Sequence, residues 1–184
     1  MGGLLERIHE LRFKGWLDAH ASSVLAEASV KPGQVVLDFG CGAGTYTIPA
    51  AQAVGAAGRV YAVDIKPSAL NRMERKAARA GVRNVVRVDA APGDGVPLAR
   101  DTVDCMLVID VLQKIADKAG VLQEAYRVLR PGGVLLIFPM HLNIDAVEGL
   151  VAGAGFQRHE RRIEGRILVA EKPGRGEAAN ADPP

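Results

Sequence analysis

Short apolar runs alternate with amphipathic segments along the chain from Ser22 to about Ala170. The apolar runs are rich in β-branched residues and nearly continuous, as strands buried on both faces of a sheet require. They predict five strands, at Val35–Phe39, Arg59–Val63, Val85–Val88, Val103–Ile109 and Val134–Phe138. Two weaker strands, Phe156–Arg161 and Arg166–Ala170, flank the turn dipeptide Glu164-Gly165, so the sheet is expected to end in an antiparallel hairpin.

The segments between the strands have the pattern of helices. The predicted helices are Ala19–Ala28, Thr45–Ala53, Ser68–Ala80, Lys118–Leu129 and Ile144–Ala152. Pro67 suits a first helical turn, Gly81 closes the same helix, and Pro131-Gly132-Gly133 predicts a sharp stop before the fifth strand. Because strands and helices alternate, the chain is expected to form one α/β domain with a doubly wound, mostly parallel sheet of seven strands.

Composition and charge narrow the class of protein without identifying a partner. The 184 residues suit one core, and 48% hydrophobic against 24% charged residues places the chain outside the disordered range. A net charge of +2 favours neither nucleic acid nor a membrane surface. No apolar run reaches the ~20 residues that cross a bilayer, and no secretion signal is evident. Two cysteines, Cys41 and Cys105, suggest neither a metal site nor a disulfide framework, so a cytoplasmic location is expected.

The two ends of the chain differ from the middle. Residues 1–30 predict an N-terminal helical segment in which Leu11, Phe13, Trp16 and Leu17 recur at helical spacing. Three uses of this stripe stay open: a lid over a substrate, packing on the sheet, or contact in a homodimer. Residues 31–172 are expected to form the folded domain, and residues 173–184, rich in Gly, Ala, Pro and Glu, a flexible tail.

The first predicted strand runs into a helix through three glycines, Gly40, Gly42 and Gly44. Glycine lacks a Cβ, so the backbone can turn tightly and a ligand can approach it beneath the partly positive end of the helix. A dinucleotide fingerprint would have its third glycine at position 45, which is Thr45. The loop therefore predicts a ligand site, but the spacing disfavours a pyrophosphate cradle.

Asp38 and these glycines resemble the first motif, D-x-G-x-G, of the class I S-adenosylmethionine-dependent methyltransferases. Further segments resemble later motifs of that family in order and spacing: Val60–Ile65, Val86–Ala90, Val103–Asp110 and Glu124–Gly133. The resemblance spans about Val30 to Phe138. It implies a Rossmann-like methyltransferase fold, S-adenosyl-L-methionine as cofactor, and a place for Asp38 and Gly40 near the methionine moiety.

The same resemblance implies roles for residues that follow the second and third strands. Asp64 would hold both ribose hydroxyls, for which a carboxylate is suited because it can accept two hydrogen bonds. Ile65 would pack on the adenine face, Asp89 would accept from the adenine amino group, and Ala90 would contact the ring edge. The expected cofactor-binding residues are Asp38, Gly40, Gly42, Gly44, Asp64, Ile65, Asp89 and Ala90. Two alternatives to cofactor binding stay open: Asp64 could cap the following helix, and Asp89 could form a turn.

Asp110 and His141 are the candidates for contact with a methyl acceptor, because they follow the fourth and fifth strands at the edge where ligands collect. Either could act as a base if the acceptor is a thiol, phenol, alcohol or activated carbon. The alternative for each is a loop residue in water. Many small-molecule members of the family carry a His-His pair after the fourth strand, where this chain has Val111-Leu112-Gln113-Lys114.

The expected activity is transfer of a methyl group from S-adenosyl-L-methionine to an unidentified, small-molecule acceptor by in-line displacement. Nucleic acid and membrane partners are not expected. Two rival classes remain. One is a protein of this fold that binds the cofactor without methyl transfer, and the other is a nicotinamide-dependent oxidoreductase, against which Thr45 and the Pro-Gly-Gly segment argue.

Overall fold

The computed structural model describes residues 4–91 and 93–176, with side chains from residue 8 onward. Residues 1–3 of the predicted N-terminal segment and residues 177–184 of the predicted tail lie outside this part of the chain. The helices are α1 (Leu4–Ala19), α2 (Ala21–Glu27), α3 (Thr47–Val54), α4 (Pro67–Arg79), α5 (Lys118–Val128) and α6 (Ile144–Gly153), with a short 3-10 helix at Leu112–Lys114. The strands are β1 (Val35–Phe39), β2 (Arg59–Asp64), β3 (Val85–Asp89), β4 (Val103–Ile109), β5 (Leu129–Phe138), β6 (Gln157–Arg162) and β7 (Ile167–Glu171).

All seven strands belong to one sheet with the order β3-β2-β1-β4-β5-β7-β6. The first five strands pair in parallel, whereas β7 runs antiparallel to both β5 and β6. The predicted doubly wound sheet with a terminal antiparallel hairpin is thus confirmed. The winding reverses between β1 and β4, and such a reversal leaves a crevice at the carboxyl ends of the strands. Every candidate site residue follows or ends a strand at that edge.

Alternate residues of the central strands face opposite layers of helices, as the period of two in a strand requires. Met106 and Val108 of β4 pack in the cluster that includes residues of α5 and α6. Leu107 and Ile109, which alternate with them along the strand, pack in the cluster that includes residues of α2 and α3. Both faces of β4 are therefore buried, which explains why its sequence is apolar without alternation.

The predicted stop at Pro131-Gly132-Gly133 is wrong, because these residues lie inside β5, which begins at Leu129. Gly132 takes a φ of +75°. Its amide donates to the carbonyl of Lys172, and the Lys172 amide donates to the carbonyl of Gly133. These bonds to Lys172, the residue after β7, pair the segment with the sheet, so tertiary pairing overrides the local preference for a turn.

Some apolar residues of helix α1 are buried against the rest of the protein, and others are exposed to solvent. Leu17 is fully buried in the cluster on the α2 and α3 side of the sheet, and the Phe13 ring lies 5.7 Å from the ring of Phe138. Leu11 and Trp16 are exposed, at 62% and 43%. Packing on the sheet therefore accounts for half of the stripe and leaves the other half facing outward. Within the described residues, no helix combines the length and the apolar character that crossing a bilayer would require.

Candidate active site

The three glycines of the loop after β1 all have positive φ, of +77° at Gly40, +55° at Gly42 and +80° at Gly44. The amides of Gly40 and Cys41 both donate to the carbonyl of Val63, at 2.8 and 2.9 Å. Positive φ is the region that glycine occupies at little cost and other residues avoid. These bonds join the loop to the end of β2, where the first predicted ribose contact lies.

The glycines differ in what surrounds them. A Cβ on Gly40 would lie 2.5 Å from a methyl carbon of Val111, and a Cβ on Gly44 would lie 2.8 Å from the Met73 side chain. A Cβ on Gly42 would meet nothing within 4 Å. Gly40 and Gly44 are thus required by close packing inside the protein, whereas Gly42 borders open space. Of the three, Gly42 is the one whose backbone a ligand can approach.

Asp64 lies directly beside that open position. One carboxylate oxygen accepts a hydrogen bond from the Gly42 amide at 2.9 Å, and the other accepts from the Lys66 amide at 2.8 Å. Each oxygen retains capacity for a further bond, because a carboxylate offers about four acceptor positions. The bond to Lys66, the residue just before α4, also places this carboxylate at the start of that helix, so the alternative of a helix cap stays open.

Asp38 is buried at the end of β1, with 3% of its surface exposed. Burial raises its pKa to about 6, the nearby negative charge of Asp64 adds to the rise, and a 2.6 Å hydrogen bond donated by the Thr47 hydroxyl opposes it. A desolvated carboxylate without a cation is unfavourable on its own. Together with Asp64 it makes the loop region attractive to a positively charged ligand group.

The remaining predicted cofactor residues continue along the same edge. Ile65 is 54% exposed, an unusual position for a large aliphatic side chain. Asp89 pairs with Asp64 in the register of β2 and β3, and the Ala90 amide donates to the Asp64 carbonyl at 3.2 Å. The carboxylate of Asp89 is exposed and receives two 2.7 Å bonds from Arg87, which hold its pKa below the usual value. The sheet brings these positions together, but the Asp89 side chain has a protein partner.

Asp110 has the left-handed φ of +54° immediately after β4. Such a conformation is rare outside glycine and is often found at functional sites. The Gln113 amide donates to one of its carboxylate oxygens at 2.5 Å, and the Lys114 ammonium lies 3.4 Å from the other. Both oxygens are therefore engaged. The next residue, Val111, is the one that packs over Gly40, so the β4 loop and the glycine loop are in contact.

His141, after β5, is hydrogen-bonded through Nδ1 to the carboxylate of Glu10 in α1. The two residues are 131 positions apart in the chain. Sequence reasoning placed His141 at this edge but did not identify Glu10, because nothing local marks it as a partner. The pair has the geometry of a carboxylate that orients an imidazole, which leaves Nε2 to accept a proton.

Tyr46 is a further residue that sequence reasoning missed, although it follows the third glycine closely. Its side chain is buried, and its hydroxyl has no hydrogen-bond partner of good geometry in the described part of the chain. Burial, together with the negative charges of Asp18, Asp38 and Asp110, raises its pKa. The hydroxyl is thus held protonated near the carboxylates of Asp18 in α1 and of the candidate site residues Asp38 and Asp110.

Residues 30–150 match a family described as a methyltransferase domain. The ubiquinone/menaquinone biosynthesis C-methyltransferase UbiE of Marinomonas sp. (strain MWYL1) is 34% identical over 113 residues, which are 61% of this chain and 45% of that protein. UbiE of Klebsiella pneumoniae (strain 342) is 36% identical over 110 residues, or 60% and 44% of the two chains. The match thus spans less than half the length of these relatives.

Two solved structures have similar folds. A SAM-dependent methyltransferase from Aquifex aeolicus superposes with a TM-score of 0.74 at 24% identity, covering 90% of this chain and 96% of that one. The [4+2]-cyclase SpnF also superposes with a TM-score of 0.74, at 16% identity over 85% and 81% of the chains. At such identities the likeness concerns the fold alone, and the second protein shows that one fold carries more than one chemistry.

Proposed function

The chain belongs to the methyltransferase domain family, and on that premise we propose that it transfers a methyl group from S-adenosyl-L-methionine to a small-molecule acceptor by in-line displacement. The expected family, the Rossmann-like fold and the cofactor are confirmed. The acceptor and the residues that serve it are proposals, because the curated relatives are matched over less than half of their length.

The observation that carries the proposal is the bond between Gly42 and Asp64. It holds a carboxylate with spare acceptor capacity next to the one loop glycine that borders open space. Ribose hydroxyls are donors that fit such a carboxylate. The buried, uncompensated carboxylate of Asp38 fits the cationic amino group of the methionine moiety, and exposed Ile65 offers an apolar surface to adenine. The residues present therefore fit the cofactor.

When bound, the cofactor supplies an activated methyl group on a sulfonium, whose departure leaves a neutral thioether. The protein's part is alignment of the acceptor and exclusion of water. For an acceptor that must lose a proton, we assign the base to His141, which can accept the proton at Nε2 while Glu10 holds Nδ1. Asp110, with both oxygens engaged by Gln113 and Lys114, would serve as a fixed hydrogen-bond acceptor.

The relatives' names indicate one acceptor class to test first. UbiE proteins are named as C-methyltransferases of ubiquinone and menaquinone biosynthesis, so quinols join phenols, thiols, RNA and protein as acceptors in a screen. We also propose a cytoplasmic location, because Cys41 and Cys105 are buried free thiols that require no oxidising compartment.

Calorimetric titration with S-adenosylmethionine, S-adenosylhomocysteine and NAD tests the cofactor half of the proposal. We expect both adenosyl ligands to bind the wild-type protein, NAD to fail, and Asp64→Ala to abolish or strongly weaken binding. Transfer of a labelled methyl group to an acceptor of the screen then tests the reaction. Binding of NAD alone would overturn the proposal, and adenosyl binding without any transfer would favour a non-transferring protein of the same fold.

A further inference from the structure

A groove of about 510 Å³ lies at the carboxyl end of β5, and its lining includes Met140 and Leu142, the two neighbours of His141 in the chain. This volume is within the range of small-molecule sites. Its apolar part consists of Phe138, Pro139, Met140, Leu142 and Ile144. The groove is on the sheet edge that carries the glycine loop and Asp110, so a molecule in it lies on the same side of the protein as the proposed methyl donor.

Helix α1 closes one side of the groove. Glu10 lines it and is bound to His141, and the Phe13 ring packs 5.7 Å from the ring of Phe138. The N-terminal segment thus supplies both a wall of the groove and the partner of the proposed base. This arrangement supports its use as a cover over an acceptor.

Arg166 lines the same groove from the turn between β6 and β7. It is half-buried, and its guanidinium carbon lies 4.5 Å from the centre of the Phe13 ring. Among the described side chains, those of residues 8–91 and 93–176, no carboxylate forms an ion pair with Arg166. The nearby Arg161 and Arg162 do form ion pairs, with Glu148 and Glu160 respectively.

Among the described side chains, Arg166 therefore has no ion-pair partner, and the carboxylate of Glu10, which lines the same groove, is bound to His141. A guanidinium presents parallel N–H donors that match the two oxygens of a carboxylate or phosphate. Stacking on Phe13 restricts the side chain in advance, so less conformational entropy is lost when it binds. Such a group selects an anion that is attached to an apolar body.

We infer, building on the proposed methyl transfer, that the acceptor is an apolar molecule carrying an oxyanion, and that this groove binds it with Arg166 on the oxyanion. The apolar wall takes the body of the acceptor, and Glu10 of the groove's lining holds His141, the proposed base. This assigns to Arg166 a role in acceptor specificity that neither the glycine loop nor the sheet topology provides.

Three naphthalene probes of matched size test the inference by calorimetric titration of the full chain: 2-naphthoate, 2-naphthyl phosphate and the neutral 2-naphthamide. We expect the anionic probes to bind roughly tenfold or more tightly than the amide, as charge-assisted bonds to arginine provide. The preference between carboxylate and phosphate then identifies which oxyanion the acceptor carries. Arg166→Gln should remove the preference for the anions, and Arg166→Lys should retain part of it.

Arg59→Gln is the matched control, because Arg59 is an exposed arginine at the start of β2, at the opposite edge of the sheet. It should bind all three probes as the wild type does. The inference would be overturned if the wild type bound 2-naphthamide as tightly as the anionic probes, or if it bound none of the probes. An unchanged preference for the anionic probes in Arg166→Gln would also overturn it. Titration of the same samples with S-adenosylhomocysteine separates the two proposals. Cofactor binding without an anion preference refutes the acceptor class alone, and loss of cofactor binding refutes the proposed function.

Discussion

The hydroxyl of Thr47 donates a 2.6 Å hydrogen bond to the carboxylate of Asp38, and both side chains are buried where β1 turns toward α3. The bond favours the ionised carboxylate, but burial outweighs it and raises the pKa of Asp38 to about 6. The protein therefore holds a costly negative charge beneath the glycine loop. A cationic ligand group would offset that cost.

Asp38 should make stability depend on pH. Its pKa is 3.8 in the unfolded chain and about 6 in the folded protein, so the folded state binds more protons between these values. The free energy of unfolding therefore falls as pH rises through this window, by roughly 3 kcal/mol from this group. Asp38→Asn, which can still accept from Thr47, should be more stable than the wild type at pH 7.5 by an amount that shrinks toward pH 4.5. Urea unfolding of both proteins at the two pH values measures this, and an equal difference at both would contradict it.

Gly42 and Gly44 should respond differently to alanine. Gly44→Ala places a methyl group 2.8 Å from Met73 at a φ of +80°, and strain plus crowding should lower the free energy of unfolding by about 2–4 kcal/mol. Gly42→Ala meets no neighbour, so only the backbone strain of about 1–2 kcal/mol applies. Its main effect should be on affinity for S-adenosylhomocysteine. Chemical unfolding and calorimetry on both variants test this, and a Gly42→Ala protein with intact affinity would place the cofactor elsewhere.

Asp64 should matter more to the cofactor than Asp89. The Asp64 carboxylate is oriented by two backbone amides and retains acceptor capacity, whereas Arg87 already engages the exposed carboxylate of Asp89. Asp64→Ala is expected to weaken binding of S-adenosylhomocysteine by at least roughly tenfold, the range of a lost charge-assisted hydrogen bond. Asp89→Ala should weaken it less. Asp145→Ala, on α6, is the control and should have no effect on binding; the reverse order for the two site variants would refute the assignment.

His141 should carry the proton transfer for acceptors that ionise. His141→Ala is expected to lower kcat by about 10²–10⁴ without changing the affinity for the cofactor, the usual contribution of a general base. Glu10→Gln removes the orienting charge and should lower kcat less than His141→Ala does. Steady-state kinetics with an acceptor from the screen measure both. Unchanged turnover in a variant lacking both His141 and Asp110 would mean that alignment alone suffices.

Lys172 allows a test of protein stability at a position away from the candidate site. Its buried ammonium donates to the carboxylate of Asp101 and to the carbonyls of Tyr126 and Leu129, at 2.6 to 2.7 Å. Lys172→Met leaves these acceptors without a donor and should lower the free energy of unfolding by about 2–4 kcal/mol. Exposed Lys76, on α4, changed to Met should have an effect within about 0.5 kcal/mol. Thermal and urea unfolding compare the two; equal effects would show that the buried bonds contribute little.

The sequence by itself determined the parallel strands and the glycine loop that follows the first of them. The bounds of β1 and β4 were predicted to the residue, because a strand buried on both faces is apolar along most of its length; Asp38 and Asp104 are the exceptions. Asp38, Gly42 and Asp64 lie in short motifs that resemble those of the methyltransferase family, so the sequence could propose them as cofactor contacts. Local composition and spacing contain this information.

Only the tertiary structure decided which distant side chains meet. The start of β5 at Leu129 depends on bonds to Lys172, and the partner of His141 comes from α1 at the other end of the chain. Likewise, Arg166 stacks on Phe13 because the hairpin β6–β7 and helix α1 both pack around the end of β5. No local preference of these residues distinguishes them from ordinary surface positions. Their chemistry arises from through-space contacts and from burial, which exist only once the elements have packed.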